Sequence, residues 1–252
     1  MTNTVILERS ASSEPAPAKI FPAIWPSIGW IAAFLLFQVV SGIAALVAAM
    51  AIDGGERELA AVMSDLTAFA VPMIWSLVIG ELFLLALLWL YLRKAGRIAA
   101  VYLDRWSRLP FLHTILLAAV LLGAGYAANW AYGEHVIPGV EVQKELRALF
   151  AAIPQTLPNQ ILLFAAVAVI APLLEEILFR GLLQNALSKR LQVWAAIALS
   201  ALVFGAMHMD FYAMPPLVLM GVIFGVIYHL TGSLRITIVL HMVNNAAALA
   251  FG

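Results

Sequence analysis

Residues 157–187 read LPNQILLFAAVAVIAPLLEEILFRGLLQNAL, a run whose only ionisable side chains are Glu175, Glu176 and Arg180. About 20 mostly apolar residues suffice to cross about 30 Å of hydrocarbon, so this run predicts a membrane-spanning helix. Its charges stand in the middle, where insertion of each costs about 2.5–3.5 kcal/mol. A chain that keeps them there uses them for something. Working outward, Trp25–Ile52, Pro110–Tyr132, Val193–Met209, Phe211–Leu234 and Ile236–Gly252 contain no Asp, Glu, Lys or Arg, and Leu66–Leu92 contains one, Glu81. Seven helices are expected, the last three closely spaced. The runs are continuous and do not alternate, which excludes barrel strands of roughly ten residues.

Composition says the same. Of 252 residues, 64% are hydrophobic and 11% charged, where soluble chains carry roughly 25% charged residues. The fold class is therefore an all-α polytopic bundle and the principal partner is the lipid bilayer. The formal net charge is zero, which gives no reason to expect a nucleic-acid partner. With no cysteine, disulfides, Cys-ligated zinc, iron–sulfur clusters and thiol nucleophiles are all excluded. Residues 1–24 are polar and rich in Pro and Ala, and the apolar run after them is too long for a cleaved signal. We read 1–24 as a polar cytoplasmic tail and 25–252 as one membrane domain. Residues 25–132 give three spans, and 158–252 a catalytic core of four.

Basic loop residues set the expected orientation. Taking the 93–109 loop as cytoplasmic puts ten Lys and Arg inside (Arg9, Lys19, Arg93, Lys94, Arg97, Arg105, Arg108, Lys189, Arg190, Arg235) against Arg57, Lys144 and Arg147 outside. The expected location is the cell membrane, N-terminus in the cytoplasm. Residues 93–109 and 141–151 mix charged and apolar residues, as either surface helices or plain loops do.

Glu176 and Arg180 are i,i+4 neighbours in the favourable order and can pair. Glu175 is turned about 100° away and keeps its carboxylate for another neighbour. Pro172, just before them, lacks a backbone donor and can kink the helix. Phe204 with His208, and His241 with Asn245, each lie four residues apart and so share a helix face. For each group there is a structural alternative: a buried salt bridge for Glu176 and Arg180, interhelical hydrogen bonding for His241 and Asn245. His113, His229 and His135 sit at span ends or in a loop and suit plain interfacial roles. Ala201 with Gly205, and Gly221 with Gly225, are small-residue faces for close helix packing. Glu81 has no assigned role; a place at the cavity and a pairing with Arg180 are both open.

Taken in order, Glu175–Glu176–x–x–x–Arg180, Phe204–x–x–x–His208 and His241–x–x–x–Asn245 resemble the three signature motifs of the CAAX-protease and bacteriocin-processing (Abi, CPBP) family, over about residues 158–252. The resemblance implies an intramembrane endopeptidase, similar to type II CAAX prenyl proteases. Its site would be Glu175, Glu176, Arg180, Phe204, His208, His241 and Asn245, its substrate a peptide or protein, lipidated or not. Hydrolysis needs an activated water and a stabilised oxyanion, and a carboxylate in a desolvated setting suits the first task. By resemblance Glu175 takes the water's proton and His208 holds that water. His241 and Asn245 then donate to the oxyanion, a role worth about 2.7–4 kcal/mol. A metal-free site is favoured. In the rival version Glu175, His208 and His241 bind Zn²⁺. No His-Glu-x-x-His, Gly-x-Gly-Asp or Gly-x-Ser-Gly motif is present. Two other classes stay open: a proton- or ion-coupled transporter and a non-catalytic immunity or adaptor protein. On the expected topology His208 lies far from the inner end of its helix and His241 close to it. Either the helices are staggered or the turn before Ile236 dips into the membrane.

Overall fold

The structure is a computed structural model that describes residues 22–54, 58–94 and 96–251, without the side chains of 62–64 and 66. The tail expected over residues 1–24 therefore falls outside it up to residue 21, Arg9 and Lys19 included, as do Arg57 and Gly252. The described residues form helices α1 (Ile24–Ile52), α2 (Leu59–Ser64), α3 (Leu66–Leu92), α4 (Arg97–Ala100), α5 (Phe111–His135), α6 (Lys144–Ala151), α7 (Leu157–Ser188), α8 (Val193–Ala206), α9 (Met214–Thr231) and α10 (Leu234–Phe251). No strand occurs among them. In lipid the backbone must satisfy its own hydrogen bonds, and a helix does so within one segment.

Six of these helices are long and apolar enough to cross a membrane. The chain is a polytopic helical membrane protein. α8, expected to be a full span, has 14 residues and is about 21 Å long, short of about 30 Å of hydrocarbon. Its apolar run continues to Met209, but Met209 adopts φ 51°, and Asp210 turns the chain. The Asp210 carboxylate accepts from Tyr212 N and Ala213 N, both at 2.9 Å, and from Gln143 N at 2.7 Å. The run is therefore a short helix followed by a pinned turn. Residues 141–151 are helical over Lys144–Ala151.

α7 is the central helix: half of its apolar window is buried, against 17% for α5. Large apolar side chains elsewhere, such as Trp25, Phe111 and Val120, point outward, the face that lipid covers. α7 is helical throughout, but Ala165–Ile170 and Ile177–Gln184 wind as π-helix. In the first of these, Ala171 N–H bonds back five residues to Ala166 O. Pro172 cannot donate, and the wider turn before it is one way a helix absorbs that loss. Glu175 and Glu176 lie in the α-helical stretch between the two widened segments.

Residues 97–108 form neither a long surface helix nor a free loop. After α4 they run as a strap across the ends of α7, α9 and α10. Carbonyls of Ala100 and Val101 accept from Asn185 Nδ2 (3.4 Å) and Tyr228 Oη (3.1 Å). Those of Tyr102, Leu103 and Arg105 accept from Leu234 N (3.0 Å), Arg235 Nε (2.7 Å) and Ser233 Oγ (2.9 Å). Arg108 then donates from N to Thr231 O at 2.8 Å and from Nη2 to His229 O at 2.9 Å. Gly232 ends α9 at φ 61°, and a Cβ there would collide with Arg108.

Candidate active site

The strap explains how His208 and His241 reach one place. Glu175 lies about 20 Å along α7 from its Ser188 end, and His208 about 22 Å from the start of α8, but His241 only about 10 Å into α10. Yet His241 Nε2 is 3.6 Å from Glu175 Oε2. The first turn of α10 must therefore begin deeper in the bundle. It does so beneath residues 101–105, with Leu234 and Thr237 fully buried.

Glu176 is completely buried. Its Oε1 accepts from Arg180 Nη1 at 2.7 Å and faces His241 Nδ1 at 2.9 Å, while its Oε2 has no partner. Arg180, 1% exposed, also donates from Nη2 to Gly221 O at 3.1 Å and lies 4.7 Å over the Phe204 ring. Four residues on, Gln184 Nε2 repeats the contact with Gly225 O at 3.1 Å. The Gly221 and Gly225 face is thus close packing, as its spacing implies, and it also offers carbonyls to α7. A Cβ on Gly221 would sit 2.9 Å from Ala201 Cβ, which is how near α8 and α9 approach.

His241 joins the two carboxylates, Nδ1 toward Glu176 and Nε2 toward Glu175. Its ring stacks on Phe224 at 4.8 Å and meets the edge of Phe204 at 6.0 Å. Phe204 also packs against His208 at 5.0 Å. His208 Nδ1 lies 3.0 Å from Phe204 O. A carbonyl only accepts, so Nδ1 carries the proton, and Nε2 of the neutral ring keeps its lone pair.

Glu175 and His208 open onto a common cavity of about 140 Å³. A water claims about 30 Å³ of liquid, so the space holds several waters or a short stretch of chain. Phe34, Leu35 and Phe179 form its apolar wall, Met207 and Met209 flank His208, and Gln38 of α1 supplies a further polar group. Gln38 belongs to none of the spaced motifs and is not legible from them. The signal was a lone amide within an otherwise apolar span.

The other expected residues fall as follows. Asn245 Nδ2 donates to Val167 O of α7 at 3.0 Å, and Asn244 Nδ2 to Asn245 Oδ1 at 3.1 Å, so Asn245 does not stand beside His241 as a free donor. Glu81 is 7% exposed and lies toward Gln38 and Glu175, not Arg180. The trio Glu175, His208 and His241 does not converge as a ligand set. Both nitrogens of His241 face carboxylates, and no group of three or more His, Asp or Glu among the described residues is arranged to hold a metal.

Residues 157–247 match the family described as type II CAAX prenyl endopeptidase Rce1-like. Over 91 residues the chain is 40% identical to the membrane-embedded CAAX protease MroQ of Staphylococcus aureus (strain USA300), covering 34% of this chain and 37% of that protein. Over 103 residues it is 31% identical to an uncharacterized 24.3 kDa protein of Escherichia coli, covering 39% of this chain and 48% of that one. Each match thus spans less than half of the curated relative. No solved structure matches. Over residues 157–247 the chain is thus similar to the Rce1-like CAAX endopeptidases, the resemblance that its three motifs carry.

Proposed function

We propose that the protein is an intramembrane endopeptidase in which Glu175 activates the attacking water. One observation carries the reading: of two adjacent carboxylates, Glu175 opens onto the cavity beside His208, while Glu176 is shut away against Arg180 and His241. The water sits between Glu175 and the His208 Nε2 lone pair. Glu175 takes one proton as the water oxygen bonds to the scissile carbonyl carbon, and that carbonyl becomes the oxyanion. The proton on Glu175 then faces His241 Nε2. When the C–N bond breaks, the leaving nitrogen takes it, giving a carboxyl and an amine. Asn245 reaches the oxyanion by exchanging its bond to Val167 O. Arg180 and Glu176 hold the helix in register, and Phe204 packs both imidazoles. We place the N-terminus and the 93–109 segment on the cytoplasmic side of the cell membrane. The substrate is a peptide segment, with no lipid specificity assigned.

The test is cleavage of a peptide panel by purified protein in liposomes. Glu175→Gln keeps the side chain's size and removes its basicity, so kcat should fall by roughly 10²–10⁴ with thermal stability unchanged. Undiminished cleavage by that variant would refute the assignment. Activity should survive exhaustive chelation; a loss restored only by Zn²⁺ would move the reading to a metallopeptidase.

A further inference from the structure

Part of the described chain before residue 157 reaches the cavity, through Phe34, Leu35 and Gln38 of α1. α1 and α3 approach closely where Gly80 meets Ser41: a Cβ on Gly80 would lie 2.6 Å from Ser41 Oγ, and Ser41 Oγ donates to Ser76 O at 3.1 Å. Small residues permit such approach between membrane helices. Next along each helix, this contact brings Glu81 of α3 within hydrogen-bonding reach of Gln38 of α1, and within electrostatic range of Glu175. Glu81 is 7% exposed and its Oε2 has no partner. Gln38 is the member of the pair that lines the cavity, on the wall that α1 presents to Glu175 and His208.

We propose that Gln38 is a substrate-contacting residue of this site and that Glu81 is the positioning residue that holds its amide toward the cavity. An amide carries two N–H donors and a carbonyl acceptor. One bond to Glu81 fixes its orientation and leaves a donor and an acceptor for the ligand. That pair is complementary to the C=O and N–H of an extended peptide backbone. The contact would be made with any sequence, and it would fix which peptide bond lies over Glu175. A charged residue at position 38 would cost more to bury, and an apolar one would leave the substrate's peptide group without a partner on a largely apolar wall.

This inference rests on the endopeptidase reading, and the experiment keeps the two apart. Wild type, Glu175→Gln, Gln38→Ala, Glu81→Leu, Glu81→Gln and the double variant Gln38→Ala/Glu81→Leu are assayed on the same peptide panel, with thermal midpoints for each. Gln38→Ala should raise KM roughly three- to tenfold, the scale of one lost neutral hydrogen bond, with kcat little changed. Glu81→Leu should reproduce that KM, Glu81→Gln should stay near wild type because it still bonds Gln38, and the double variant should be no worse than either single one. If wild type cleaves and Gln38→Ala leaves KM unchanged, the inference is wrong and the endopeptidase reading stands. If Glu81→Leu lowers the thermal midpoint and kcat without raising KM, Glu81 is structural and the pairing is refuted. If wild type cleaves nothing that Glu175→Gln does not, both readings fall together.

Discussion

A single oxygen, Oε1 of Glu176, serves both Arg180 at 2.7 Å and His241 at 2.9 Å, in a place with no solvent exposure. Removing that charge leaves a buried guanidinium without its counter-ion, and breaking such a pair typically costs about 3–5 kcal/mol. Glu176→Gln should therefore lose stability first and activity as a consequence. Adding Arg180→Gln removes the stranded charge, so the double variant should be more stable than the sum of the single losses implies. Thermal unfolding of all three variants gives the cycle. A Glu176→Gln protein as stable as wild type but without activity, beside a Glu175→Gln protein that still cleaves, would mean that the two carboxylates exchange roles. The sequence exposes this pair because two acids and an arginine in the middle of an apolar run have no cheap explanation. It hides that His241 touches both acids, since the i,i+4 spacing of His241 and Asn245 says which face they share and nothing about which helix they meet. Nor does the spacing show that Asn245 bonds across to Val167 O of α7.

Helices show the same division. α3 runs over Leu66–Leu92, the bounds its apolar run predicts, because a charged or polar residue flanks it on each side. α8 stops at Ala206, three residues before its apolar run does, because backbone turning at Met209 and Asp210 outweighs hydropathy. That early stop puts His208 in a turn at the height of Glu175. Its lateral position depends on how closely α8 and α9 approach, which the contact between Ala201 and Gly221 sets. Gly221→Val should push the two helices apart, cost about 1–3 kcal/mol through overpacking, and displace Phe204 and His208 from the cavity. The Cβ of Gly123→Ala in α5 meets nothing within 4 Å, so that variant should behave as wild type. Thermal midpoints with cleavage rates check both. Equal behaviour of the two variants would mean that the glycine spacing in α9 is incidental.

Across the whole molecule, the strap gathers Arg105, Arg108 and Arg235 at the end of the bundle where α7 finishes and α10 begins, with Lys189 and Arg190 in the adjoining turn. If the basic bias sets orientation, a reporter fused after residue 100 should be active only in the cytoplasm, and one fused at Gly252 only outside. A cytoplasmic signal from the second fusion would invert the assignment or remove a span. The strap itself was beyond reading from sequence. A segment that mixes charged and apolar residues suits a surface helix or a loop equally, and here most of its bonds are made by backbone carbonyls, which no side-chain pattern reports. Those carbonyls also impose a timetable. Leu103 leaves the ribosome 132 residues ahead of Arg235, whose side chain it will accept. At bacterial or eukaryotic elongation speeds that interval is on the order of ten seconds. Throughout it the Leu103 carbonyl lacks the partner that α10 will bring. The imidazole of His241 comes from the last of the described helices, so Glu175 is synthesised well before its partner exists. On the endopeptidase reading, the site therefore stays incomplete until α10 has been made.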